Sequence, residues 1–307
     1  MTTLYTHPSF ADHDTGPHHP ERPDRYRAVV RALDGPAFAN LRRVEAPAAT
    51  REQIERVHPA AQVDGVLESI PQNGLSNIDA DTVVSAASGI AAFHAAGAVC
   101  AAIDAVIEAA TANAFCAVRP PGHHAEPSRA MGFCLFNSVA IGAMHVRAVH
   151  GLQRVAVIDF DVHHGNGTQA FAWEDPDFFY ASTHQMPLYP GSGRVAEKGT
   201  GNIVNIPLQA GADGQVFRTV VSETLVPALR RFAPEVVMIS AGFDAHARDP
   251  LANLNLVADD YAWITRELMA VANETANGRV VSCLEGGYDL DALAESATAH
   301  VLALMAQ

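Results

Sequence analysis

Asp161 and His163 stand two residues apart at the end of the run Val155-Ala156-Val157-Ile158, whose apolar, β-branched character reads as a buried strand. If the strand persists to them, both side chains leave on one face. A carboxylate and an imidazole converging at a strand mouth suit Zn²⁺, which takes oxygen and nitrogen ligands. Asp244 follows a second strand-like run at 236–240. Alone it would serve equally well as a helix N-cap before Ala245-His246. Together with Asp161 and His163 it gives one histidine and two carboxylates with room for water, the composition of a catalytic zinc site. Zinc polarises a carbonyl and lowers the pKa of a bound water, which suits hydrolysis of an amide or ester.

Such chemistry needs groups that take and return a proton. The adjacent His123 and His124, stiffened by Pro120-Pro121 and Gly122, are the candidates. An isolated His-His pair would be read as turn residues; beside a metal site it is not. Asp159 lies deeper in the strand than Asp161, and a buried aspartate needs a partner, for which one histidine of the pair is suited. Asn166 can orient the other through a neutral hydrogen bond, leaving that histidine the stronger acid when protonated. Tyr288, behind two glycines, is either a rim aromatic or a hydroxyl donor to the oxyanion of a tetrahedral intermediate.

The elements that must position these groups alternate along the chain. Strands are expected at 114–118, 154–161, 178–183, 203–206, 236–240 and 280–284, and helices at 24–33, 51–57, 60–69, 85–111, 137–149, 214–232, 258–275 and 289–305. Strands alternating with helices imply a single α/β domain over residues 1–307, an open, mostly parallel sheet with helices on both faces. Ligands in such sheets bind beyond the carboxyl ends of the strands. Four strands end in reactive residues: Arg119 to His124, Asp159 to Gly167, Gly242 to Asp244, and Glu285 to Tyr288. The polar, proline- and histidine-rich segment 12–23 is expected as an ordered surface loop, residues 71–81 as loop, and Gly165-Asn166-Gly167 as turn.

The balance of 20 basic against 34 acidic residues, a formal charge of −14, argues against a nucleic-acid-binding surface. Cysteines at 100, 116, 134 and 283 show no paired spacing, so neither a disulfide framework nor a cysteine metal site is indicated. They suit reduced thiols of a cytoplasmic protein. The N-terminus lacks a basic segment followed by an apolar one, so no signal peptide is expected. Residues 82–103 carry no Asp, Glu, Lys or Arg, but their alanine, serine and glycine content predicts a tightly packed buried helix and no membrane span.

Several longer motifs sharpen this. Arg119-Pro120-Pro121-Gly122-His123-His124-Ala125-Glu126, Met131-Gly132-Phe133-Cys134-Leu135-Phe136-Asn137, Asp159 to Gly167 and Leu284-Glu285-Gly286-Gly287-Tyr288 occur in this order. In order and spacing they resemble the zinc-dependent histone deacetylase and acetylpolyamine amidohydrolase superfamily, its class II branch in particular. The resemblance begins at His19-Pro20-Glu21-Arg22-Pro23 and runs nearly to the C-terminus. It implies an arginase/deacetylase-like fold with Asp161, His163 and Asp244 as zinc ligands and His123 and His124 as the tandem histidines. Asp159 is then the carboxylate behind His123, and Tyr288 the carbonyl-polarising tyrosine. Asn166 stands where class I members carry a second aspartate. Phe133 and Tyr189 match the aromatic walls of an acyl-lysine tunnel, and Gly132 a backbone acceptor. Asp159, Asp161, His163 and Ser182 match a structural monovalent-cation site, usually potassium. Arg25 resembles the arginine of an internal product channel, and Asp81 an aspartate that binds substrate backbone.

The implied function is zinc-dependent removal of an acetyl or short acyl group from an N-acylated amine, foremost an acetyl-lysine side chain. A metal-activated water, the tandem histidines and the tyrosine would carry the reaction. Leu251 occupies the position where polyamine-specific relatives carry a glutamate, which favours acetyl-lysine or neutral acyl amides over acetylpolyamines, the alternative substrates. A binuclear manganese site of the ureohydrolase kind would need Asp-x-Asp where this chain has Asp244-Ala245-His246. A silent acyl-ligand binding protein is the alternative of another class; the complete set of acid, base, metal and tyrosine residues argues against it.

Overall fold

The computed structural model describes residues 1–306. Ten strands form: β1 (Thr2–Thr6), β2 (Arg42–Glu45), β3 (Leu75–Asn77), β4 (Val83–Ser85), β5 (Asn113–Cys116), β6 (Val155–Asp159), β7 (Phe178–Gln185), β8 (Ile203–Leu208), β9 (Val236–Ala241) and β10 (Val280–Leu284). Eight of them make one sheet in the order β2-β1-β5-β10-β9-β6-β7-β8, and every pairing in it is parallel. β3 and β4 pair separately as an antiparallel hairpin; β3 lies inside the segment 71–81 expected to be loop, and β4 just beyond it.

Parallel strands joined by helices bury both faces, so inner strands alternate between two cores. In β6, Ala156 and Ile158 join the cluster containing Val29, Leu229, Ile264, Leu268 and Val301. Val155 and Val157 join the cluster containing Val99, Ile103, Val139 and Val146. The helices Pro23–Ala32, Val226–Phe232, Ala258–Thr275 and Leu290–Met305 thus cover one face, and Ser88–Ile107 and Ser138–His150 the other. The uncharged stretch at 82–103 falls mainly in the helix Ser88–Ile107, whose alanines at 91, 95, 98 and 102 are buried in that second core.

The four strands with reactive ends, β5, β10, β9 and β6, lie side by side in the middle of the sheet. Their carboxyl ends therefore share one edge.

Three local expectations are corrected. β6 stops at Asp159, so Asp161 and His163 lie in the bend after it, and the strand's alternation does not set their facing. Gly165-Asn166-Gly167 is the start of the helix Asn166–Ala172 and no free-standing turn. A Cβ on Gly167 would lie 2.3 Å from the carbonyl oxygen of Ala125, so the missing side chain lets the tandem-histidine segment pack on this helix. Segment 12–23 is only partly surface: His13 and Glu21 are buried.

Candidate active site

The bend after β6 brings the Asp161, His163 and Asp244 ligand atoms within 4.8 Å of one another. His163 Nδ1 lies 3.1 Å from Asp161 Oδ1 and 3.0 Å from Asp244 Oδ2. Backbone N–H groups fix the carboxylates: Gly286 donates to Asp161 Oδ2 at 2.8 Å, and Val162 to Asp244 Oδ1 at 2.8 Å. A Cβ on Gly286 would lie 2.3 Å from Asp244 Oδ2 and 2.6 Å from Asp161 Oδ2, so only glycine admits both carboxylates here.

The charge balance fits a bound cation. Asp161 and Asp244 are buried, and among the described residues no lysine or arginine pairs with either. Burial and the neighbouring Asp161 push Asp244 up to about 7. His163 is driven the other way: burial opposes its charge, but bonds to Asp161 and Asp244 raise it to about 10. Two buried carboxylates and an imidazole nitrogen aimed at one point are a donor set for a divalent ion. A second histidine–carboxylate group, Asp104, His145 and His150, sits at the opposite end of the sheet. There both imidazoles donate to one Asp104 oxygen at 2.7 Å, which closes the cluster by hydrogen bonds.

The tandem histidines have different partners. His123 Nδ1 lies 3.0 Å from Asp159 Oδ2, and Asp159 is fully buried on β6. His124 Nδ1 lies 2.8 Å from Asn166 Oδ1. Burial disfavours charge on both rings. For His123, Asp161 and Asp159 overcome it and raise the ring to about 10. For His124, burial is reinforced by His123 and His163, and the ring is held well below its ordinary value. The two adjacent rings are thus pushed in opposite directions.

A narrow pocket of about 210 Å³ leads to this group, lined by Asp81, His124, Gly132, Phe133, His163, Leu188, Tyr189, Leu251 and Tyr288. Gly132, Phe133, Tyr189, Leu251 and Asp81 thus line one pocket with His124, His163 and Tyr288. Phe133 has φ +68°, and its backbone N–H donates to Thr82 Oγ1 at 3.2 Å, beside Asp81. Burial lifts the Tyr288 phenol well above its ordinary value, keeping it a donor.

Arg25 is buried with its guanidinium 4.9 Å from the Tyr288 ring centre. It donates to the carbonyl oxygens of Gly287 and Glu285 and to Glu21. Ser182 lies opposite Asp159 in the β6–β7 register, and its hydroxyl is 2.9 Å from His184 Nδ1.

Sequence reasoning missed other members. Glu285 accepts from the backbone N–H groups of Gly122 at 2.6 Å and His123 at 3.1 Å, tying the tandem-histidine segment to the strand end that carries Tyr288. Its place inside Leu284-Glu285-Gly286-Gly287-Tyr288 was the available signal. Tyr180 donates to Asp159 Oδ2 at 3.1 Å, and nothing local in the sequence marks it. Glu21, between Arg25 and Arg119, braces the floor.

The α/β fold with its site at the carboxyl edge of the sheet suits an enzyme that hydrolyses amide bonds, and comparison with known proteins agrees. The histone deacetylase domain matches residues 19–304, so the chain belongs to the histone deacetylase family. It is similar to "Histone deacetylase 14, chloroplastic" of Arabidopsis thaliana, 40% identical over 310 residues, covering 94% of this chain and 73% of that one. The "Probable deacetylase" of Archaeoglobus fulgidus is 36% identical, covering 100% and 86%. The "Histone deacetylase-like amidohydrolase" of Pseudomonas aeruginosa is 37% identical, covering 88% and 72%. The crystal structure of the HDA15 HD domain superposes with a TM-score of 0.94 at 32% identity, covering 99% of this chain and 89% of that one.

Proposed function

We propose that this chain is a zinc-dependent deacylase that removes an acetyl or short acyl group from an N-acylated amine, foremost an acetyl-lysine side chain. One observation carries the reading: His124 and Tyr288 line the same narrow pocket as His163, whose ring closes the Asp161–His163–Asp244 cluster. Zinc held by these three residues would supply Lewis acidity to the acyl carbonyl and to a water.

The chain's own groups do the rest. The acylated chain enters between Phe133 and Tyr189, with the Gly132 backbone beside it. His124 has its Nδ1 committed to Asn166, so Nε2 is free to take a proton from water and return it to the departing amine. His123, charged and held by Asp159, stabilises the negative charge that develops. The Tyr288 hydroxyl donates to the carbonyl oxygen as it becomes an oxyanion. Arg25, below the Tyr288 ring, fits a product route for acetate, and Asp159, Asp161, His163 and Ser182 fit a structural potassium site.

Leu251 at the pocket wall favours a neutral aliphatic stem over the charged chain of an acetylpolyamine. Parallel assays on an acetyl-lysine peptide, acetylputrescine and acetylspermidine test the choice. Preference for the peptide supports it, and preference for either polyamine overturns it.

A further inference from the structure

An asparagine beside a catalytic histidine is ambiguous. Its carboxamide can present either oxygen or NH₂, whereas an aspartate presents only acceptors. If Asn166 turned its NH₂ toward His124 Nδ1, the ring's proton would have to sit on Nε2, and His124 could not accept a proton at the reaction centre. The NH₂ side of Asn166 is surrounded by acceptors. Nδ2 donates to Glu126 Oε1 at 2.7 Å and lies 3.4 Å from Met131 Sδ and 3.5 Å from the His124 carbonyl oxygen. Glu126 provides the one short, charge-assisted bond among these.

Glu126 is itself held. Its backbone forms a bridge with Arg129, with N–H···O distances of 2.9 and 3.4 Å, and Arg129 Nε lies 3.8 Å from Glu126 Oε2. Its carboxylate stands between Asn166 and a groove open to solvent. We infer that Glu126 is a positioning residue: it locks the Asn166 amide so that Oδ1 faces His124 and fixes the His124 tautomer with its proton on Nδ1. A carboxylate one residue removed thus makes an asparagine behave as an obligate acceptor. This rests on the deacylase reading, in which His124 is the base.

A double-mutant cycle tests it. Glu126→Ala is expected to lower kcat at least about tenfold, a usual effect for a group that orients a ligand's or base's partner, with KM and bound zinc little changed. Asn166→Asp alone is also expected to be impaired, because it sets a second carboxylate against Glu126. In the double variant the aspartate needs no orienting and the repulsion is gone, so its kcat should exceed the product of the two single effects at least about tenfold. A Glu126→Ala variant with wild-type kcat, or effects that simply multiply, overturns the assignment.

Histidine ¹⁵N shifts of the zinc-loaded protein give a readout independent of turnover. His124 should be the Nδ1–H tautomer in the wild type and a mixture in Glu126→Ala; an unchanged tautomer overturns the assignment. A zinc-loaded wild type that hydrolyses no acyl amine refutes the deacylase reading instead, and the NMR comparison still decides the role of Glu126.

Discussion

His123 Nδ1 and Asp159 Oδ2 stand 3.0 Å apart, both buried, across 36 positions of sequence. The next residue, His124, makes the matching bond to a neutral amide. Asp161 and Asp159 push His123 up, whereas burial beside His123 and His163 holds His124 down, and the proposed division of labour follows from these opposite directions. His123 contributes charge, and His124 moves a proton.

Tyr288 tests the oxyanion part of the account. Tyr288→Phe removes one hydroxyl donor and leaves the ring edge-on to Phe133 and against the Arg25 guanidinium. Turnover should fall at least about a hundredfold, the usual cost of one oxyanion donor, while zinc content measured by mass spectrometry stays at wild-type level. Undiminished kcat would remove Tyr288 from the mechanism.

Leu251 tests substrate choice. Leu251→Glu places a carboxylate in the pocket wall, where a cationic chain would meet it. The ratio of kcat/KM for acetylspermidine over an acetyl-lysine peptide should rise about tenfold or more, equivalent to roughly 1.4 kcal/mol. An unchanged ratio would show that Leu251 does not face the part of the substrate that differs.

Glu21 gives a stability prediction. It is fully buried, chelated by Arg119 through Nε and Nη2, and bonded to Arg25 at 2.9 Å. Burial opposes its charge, but Arg119, His13 and Arg25 outweigh that and hold its carboxyl well below the ordinary 4.5. A depressed folded-state pKa means the unfolded chain takes up the proton first as pH falls. The contribution of Glu21 is therefore complete above about pH 4.5 and is lost progressively below it. Glu21→Ala, which strands two buried guanidinium groups, should cost about 3–5 kcal/mol, read as a lower denaturant midpoint at pH 7. Loss of less than about 1 kcal/mol would show that the arginines find other partners.

The legible parts of the chain were those with strong local patterns. Val155 to Ile158 is apolar throughout and Val280 to Leu284 is apolar except for Ser282, and their strands are seen at the expected places. β1, Thr-Thr-Leu-Tyr-Thr, has parallel neighbours on both sides and only Leu4 and Tyr5 to put into the cores. β2, Arg-Arg-Val-Glu, is a charged edge strand. Neither carries an apolar run that a sequence pattern can detect. The helix Asn166–Ala172 was hidden by its opening glycine pair, because the close approach of Ala125 that calls for Gly167 is tertiary.

The site divides similarly. Asp161, His163, Asp244, His123, His124 and Tyr288 could be read because each follows a strand, and parallel strands place their ends together. The adjacency of β5, β10, β9 and β6 was not legible, since strand order depends on crossovers that no local pattern encodes. Glu21 reads as an ordinary loop residue until Arg119, 98 positions away, is placed against it. Glu126 was visible inside a motif but acquired a role only once Asn166 was seen between it and His124.

The central claim is that this chain hydrolyses an acyl amide through a metal held by Asp161, His163 and Asp244. The direct measurement is acetate release from an acetyl-lysine peptide by purified protein of known zinc content, repeated after chelation, after zinc is restored, and with Asp244→Ala. The account predicts turnover with one zinc per chain in this cluster, loss on chelation, recovery with zinc, and neither zinc in the cluster nor turnover in the variant. Zinc-loaded protein that releases acetate from no acyl amine, or turnover that survives both chelation and Asp244→Ala, would contradict it.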